Sequence, residues 1–183
     1  MKLQGQHIYL RFLSPDDVSG DYVAWMNNAE ITQYLESRWS VHTLESIRTF
    51  VKTVADSPND YLFGMFLKDT HQHIGNIKIG NINLHHRYGD VGLIIGDKAS
   101  WGKGVAAEAI ALVTRYGFEE LNLNKLTAGM YEQNLGSYKA FLKAGYREVG
   151  RYEKHFFYQG HYVDAFLVEK CRDTSLPPNS TSL

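Results

Sequence analysis

Two glycines separated by one residue, Gly102 and Gly104, stand between a short apolar run, Asp90 to Ile95 (DVGLII), and a long amphipathic stretch. That stretch begins near Gly104 and sets Val105, Ala109, Leu112, Val113 and Tyr116 on one face at helical spacing. A strand that passes through glycines into a helix makes a corner where a ligand can approach the backbone closely. The first N–H groups of the helix lack internal acceptors, and the helix dipole adds partial positive charge there. Phosphate oxygens suit such a corner; a tight loop holding nothing is the plain alternative.

Three phosphate-binding patterns compete. A Walker-A loop needs a glycine where this chain has Asp97 and a Ser or Thr where it has Gly104, so it fails twice. A dinucleotide fingerprint is met by Gly102, Gly104 and Ala107, but its first glycine should follow the strand at once, and Gly96 to Trp101 intervene. The third pattern is a diphosphate loop for coenzyme A.

The rest of the chain reads as one mixed α/β domain over residues 1–173, with a polar, disordered tail over residues 174–183. Strands are expected at His7–Leu13, Tyr61–Lys68, His73–Ile79, Asp90–Ile95, Lys125–Met130, Tyr146–Tyr158 and His161–Lys170. Ser14 and Pro15 signal a helix carrying Val18, Tyr22 and Trp25 on one face, and Thr43 caps a second. A third helix starts near Gly104, and a fourth spans Asn134 to Lys143 before Gly145. With 19 Lys and Arg against 20 Asp and Glu, no broad surface for nucleic acid or anionic membrane is expected. The single cysteine, Cys171, cannot form an internal disulfide and fits a reducing cytoplasm. The histidines lack metal-ligand spacing, so no metal is expected.

Several segments together resemble the GNAT N-acetyltransferases, in particular the RimJ/RimL-type branch. Trp101-Gly102-Lys103-Gly104-Val105-Ala106 is similar to the family's Gln/Arg-x-x-Gly-x-Gly/Ala loop, with Trp101 at the first position. Asn134-Leu135-Gly136-Ser137 followed by Lys143-Ala144-Gly145-Tyr146 resembles a later segment, and Trp25-Met26-Asn27-Asn28-Ala29-Glu30 its first-helix motif. The resemblance implies a mixed sheet of about six or seven strands with a splayed central pair and about four helices. It implies direct acetyl transfer from acetyl-CoA to a primary amine: an amino-sugar nucleotide, a protein N-terminus or a polyamine. The sequence looks most like the amino-sugar-nucleotide group, and a homodimer is among the assemblies it leaves open.

By the same resemblance, Leu93, Ile94 and Ile95 contact the acetyl and pantetheine portions. Trp101, Gly102, Lys103, Gly104, Val105 and Ala106 hold the diphosphate, and Asn134 and Ser137 complete the cofactor site. Asp90 leads as general base by family position, followed by His85 and His86, with Glu108 behind them. Many family members carry a proton-donating tyrosine where this chain has Phe141, and Ser137 is the replacement ahead of Tyr138. Trp25, Asn27, Glu30, Tyr34 and His85 are the candidate acceptor contacts, with Trp39, Tyr152, Phe156 and Tyr158 as further lining. The missing tyrosine also leaves a second reading, a coenzyme A-binding sensor with little catalysis.

Overall fold

A computed structural model describes residues 1–173; the expected tail lies outside the described residues. Among the described residues, eight strands form one sheet: β1 (Lys2–Gln4), β2 (Ile8–Phe12), β3 (Tyr61–Leu67), β4 (His73–Asn83), β5 (Tyr88–Ile95), β6 (Lys125–Tyr131), β7 (Arg147–Tyr158) and β8 (His161–Cys171). The helices are α1 (Gly20–Met26), α2 (Ala29–Thr32), α3 (Leu44–Ala55), α4 (Val105–Glu119) and α5 (Leu135–Lys143). Strand order across the sheet is β1-β2-β3-β4-β5-β6-β8-β7. The mixed α/β class and splayed pair are as expected. The strand beyond the expected seven is β1, which pairs Leu3 with Leu10 and is too short to show an alternating pattern. α2, a single turn capped by Asn28, is likewise too short for helical spacing to reveal.

Apolar side chains cover both faces of the sheet. On one, Ile8, Leu10, Phe63, Met65, Ile77 and Leu126 pack against Ile110, Val113 and Tyr116 of α4. On the other, Leu13 and Leu62 meet Tyr22 and Trp25 of α1 and Ile47, Val51 and Val54 of α3. Thr43 caps α3 as expected, its hydroxyl accepting from Ser46 N–H.

The first helix starts later than its signals indicate. Ser14 and Pro15 open only a 3-10 turn, Pro15–Asp17, and α1 begins at Gly20 under a cap from Ser19. The reason is Asp17: its carboxylate accepts from both terminal nitrogens of Arg11 (2.7 and 2.5 Å) and from Ser14 N–H (2.8 Å), while Val18 turns extended. The acidic residue therefore ties β2 to the turn instead of feeding a helix.

The sheet is antiparallel on both sides of one parallel junction. β5 and β6 pair only from Tyr88 to Asp90, opposite Lys125 to Thr127. Thr127 Oγ1 donates to the Asp90 carboxylate at the end of that register. Beyond it β5 stays with β4 as far as Ile95, opposite Gly75, while β6 follows β8 to Tyr131. The two strands thus part into a V, and among the described residues one edge of β5 after Asp90 has no strand partner. Among the described residues, no helix is long and apolar enough to cross a membrane.

Candidate active site

The V opens into a cavity of about 590 Å³. Leu93, Ile94 and Ile95 line one wall, Trp101, Gly102, Gly104, Val105, Ala106 and Ala107 the floor, and Asn134, Gly136, Ser137, Lys139 and Lys143 the wall opposite. Gly102 and Gly104 both take left-handed φ angles, +73° and +83°, which glycine adopts without strain. Gly104 is the N-cap residue of α4 and offers no side-chain oxygen to the N–H groups that follow it. Those donors therefore face the cavity free of a side-chain cap. A Cβ built on Gly104 would stand 3.7 Å from Lys143 Nζ, so an ammonium lies beside the same turn. Glycine backbone, helix dipole and lysine charge converge on one anion-binding corner.

Trp101 closes that corner against the strand. Its indole N–H donates to the Ile95 carbonyl oxygen at 3.0 Å, fixing the loop to the end of β5. Farther along α4, Glu108 is anchored from outside the cavity. Burial works to raise its carboxyl pKa, but backbone N–H groups of His7, Ile8 and Gln6, with the His7 ring, outweigh burial and hold it below the ordinary range. Glu108 thereby straps the β1–β2 turn to the first turns of α4, a structural task.

The structure brings the expected cofactor residues together, with Lys103 set apart: exposed and not among the lining residues. Asn134 accepts from Ser137 N–H (3.2 Å) as N-cap of α5, and both residues line the cavity. Phe141, one turn beyond Ser137 on α5, is 1% exposed and edge-on to Tyr146 in the core. Tyr138 also points away, its hydroxyl donating to Glu148 at 2.6 Å. That hydrogen bond raises the Tyr138 pKa above the ordinary phenol value. Tyr34 does line the cavity; burial, then Tyr158, pushes its phenol up to about 12, and its hydroxyl donates loosely to Gln133 O at 3.4 Å.

Asp90 sits at the closed base of the V, hydrogen-bonded to Thr127 and Asn81, and lines no part of the cavity. His85 and His86 lie exposed in the β4–β5 turn, at the other end of β5 from Leu93. Trp25 is buried, and its ring covers Gly96, where a Cβ would come within 1.9 Å. Asn27 spans to the α2–α3 connection, donating to His42 O (2.8 Å) and accepting from His42 N–H (2.9 Å). Trp25 and Asn27 therefore shape the scaffold rather than the cavity wall, because α1 turns that face toward the sheet and the following loop.

A second, more open cleft of about 600 Å³ adjoins the first. Ala29, Glu30, Gln33, Arg38 and Trp39 form one side, and Phe157, Tyr158, Gln159 and Gly160 at the β7–β8 turn form the other. Tyr158 donates to Gln33 Oε1 (2.9 Å), and Arg38 donates to Phe157 O (3.3 Å), joining the two sides. Arg38 also stacks over the Trp39 ring, which remains 68% exposed. Tyr152 lines neither space, and Phe156 is stacked on Tyr131 at 3.9 Å. Gln33, Gly136, Lys139 and Lys143 are lining residues that sequence reasoning did not single out as site residues. The signal for three of them was present: Gly136, Lys139 and Lys143 stand at i, i+3 and i+7, one face of the expected helix.

The geometry matches known proteins. The chain is 29% identical over 170 residues to the probable N-acetyltransferase YjcK of Bacillus subtilis, covering 88% of this chain and 92% of that one. A spermidine N-acetyltransferase from Vibrio cholerae, solved with CoA and spermine, superposes with a TM-score of 0.81 at 23% identity, covering 90% of this chain and 95% of that one. RimL, an alpha-N-protein acetyltransferase solved in complex with coenzyme A, gives 0.84 at 14% identity, covering 93% and 98%. The model for the acetyltransferase (GNAT) domain matches residues 7–147. With the splayed strand, the glycine-started helix and this family match in hand, the chain belongs to the GNAT acetyltransferases and is an acetyl-CoA-dependent N-acetyltransferase.

Proposed function

We propose that the first cavity holds acetyl-CoA and that the adjoining cleft admits a ring-bearing primary amine of the amino-sugar-nucleotide kind, in the manner of the RimJ/RimL-type branch and in a reducing cytoplasm. The observation that carries the donor half is the convergence of the uncapped N–H groups after Gly104 with Lys143 and the partnerless edge of β5. Backbone donors of Gly102 to Ala106, with Lys139 and Lys143, grip the diphosphate. The Leu93–Ile95 edge hydrogen-bonds the pantetheine arm and the thioester oxygen as it gains charge. Ser137, on the facing turn of α5, donates to the departing sulfur in place of the phenol that Phe141 lacks.

The acceptor half rests on the composition of the cleft. Trp39, Phe157 and Tyr158 give stacking surfaces, and Gln33 and Gln159 give amides for hydroxyl groups. Among the described residues its one carboxylate, Glu30, matches one ammonium better than the several of a polyamine. Thiol release from acetyl-CoA over a panel of amino-sugar nucleotides, polyamines and peptides with free N-termini tests this reading. The highest kcat/KM is expected for the amino sugars. A polyamine or peptide preference overturns the acceptor assignment, and coenzyme A binding without turnover of any amine favours a sensor.

A further inference from the structure

The donor cavity and the acceptor cleft share two lining residues, Glu30 and Gln33. Of the described residues lining either space, Glu30 is the only carboxylate, and it lines both. Its backbone is held by α2, whose N-cap residue Asn28 accepts from Glu30 N–H at 3.0 Å. Its carboxylate accepts from Lys98 Nζ, which reaches in from the 3-10 turn between β5 and the glycine loop. Lys98 itself lines neither space. The chain therefore supplies, from outside, a primary ammonium to the one carboxylate at the junction. A primary ammonium is also what an alkylamine acceptor carries near neutral pH.

Building on the acetyl-transfer reading above, we infer that Glu30 recognises the acceptor's ammonium and accepts its proton, and that Lys98 holds the place until the acceptor displaces it. Both partners of the ion pair are well exposed, 43% for Lys98 and 59% for Glu30, so water screens it and its loss costs little. The incoming ammonium regains the same contact. Through a bridging water, one proton passes from the ammonium to Glu30 and on to solvent, leaving the nitrogen lone pair free. That pair forms the bond to the acetyl carbon, the carbon–sulfur bond breaks with its electrons on sulfur, and the nitrogen's second proton passes to the departing thiolate by way of Ser137, giving the neutral amide and the free thiol. Asp90 has no such access, being committed to Thr127 and Asn81 at the base of the V.

The test uses the full chain, the best amine from the panel, and two variants, Glu30→Gln and Lys98→Met. Steady-state thiol release gives KM and kcat for the amine, and calorimetry gives the coenzyme A affinity. Glu30→Gln is expected to raise the amine KM at least about tenfold and lower kcat, with coenzyme A affinity within about twofold. Lys98→Met is expected to lower the amine KM by about two- to fivefold, because the competing ammonium is gone. A bridge that only braces the fold gives the opposite sign for Lys98→Met, with both variants losing thermal stability together. An unchanged KM in Glu30→Gln, or a raised one in Lys98→Met, overturns the inference while leaving acetyl transfer standing. A wild-type chain that turns over no amine overturns both.

Discussion

The proposed donor cavity and the proposed acceptor cleft share a border but are made of different material. The donor side is chiefly backbone: two glycines at positive φ, the uncapped start of α4 and an unpaired strand edge. The acceptor side is chiefly side chains, with Arg38 and Trp39 brought against Phe157 and Tyr158 from a distant part of the chain. A ligand portion common to every reaction of this kind can be met by local backbone geometry. A ligand portion that varies is met by surfaces that change with single substitutions.

The contrast breaks most sharply at Gly104. Gly104→Val forces a β-branched residue into the left-handed region at φ +83°, a strain of about 1–3 kcal/mol. Coenzyme A affinity measured by calorimetry is expected to fall at least about tenfold. Trp39→Ala tests the other side: the amine KM should rise by up to about tenfold through lost stacking, with coenzyme A affinity unchanged. If Trp39→Ala weakens coenzyme A binding as much as amine binding, the division between the two spaces is wrong. Lys139→Ala combined with Lys143→Ala should weaken coenzyme A binding by about two- to fivefold at low salt, and less at high salt, since both lysines are exposed.

The smallest effect concerns the root of the acceptor-side helices. Arg11, against the opposing pull of burial and with help from Ser14, lowers the Asp17 carboxyl pKa to about 2. The folded value lies below the unfolded one, so the stabilisation is complete above about pH 4 and is lost as pH falls toward 2. Asp17→Asn should lower the melting temperature at pH 7, and the gap to wild type should close across that acid range. A constant gap would show that Asp17 acts through packing alone.

Reading the chain from its residues succeeded where local geometry decides. Gly102 and Gly104 announced the loop, short apolar runs between turn signals placed seven strands, and Asn134 was readable as an N-cap. It faltered where tertiary partners decide. Pro15 and Asp17 carry helix-start chemistry, yet Arg11, which lies earlier in the chain, claims the carboxylate and the helix waits for Ser19. Trp25 and Asn27 sit in the right motif for a binding wall, but the bare Cα of Gly96 draws the indole inward and His42 takes the amide. Glu30 was legible as an acceptor contact from that same motif, but not its place between both spaces, because the β7–β8 turn that completes the cleft is far away in sequence. Asp90 heads the expected strand, but the strand parts from its neighbour only after that position.

The brief pairing of β5 with β6 has a mechanical meaning. Two antiparallel halves are stitched by one short seam, and the cavity proposed for acetyl-CoA opens in the rip just beyond it. A guest that clasps Ile94 on one flap and Ser137 on the other works as a rivet, so occupancy stiffens the molecule along the line where it is least sewn together.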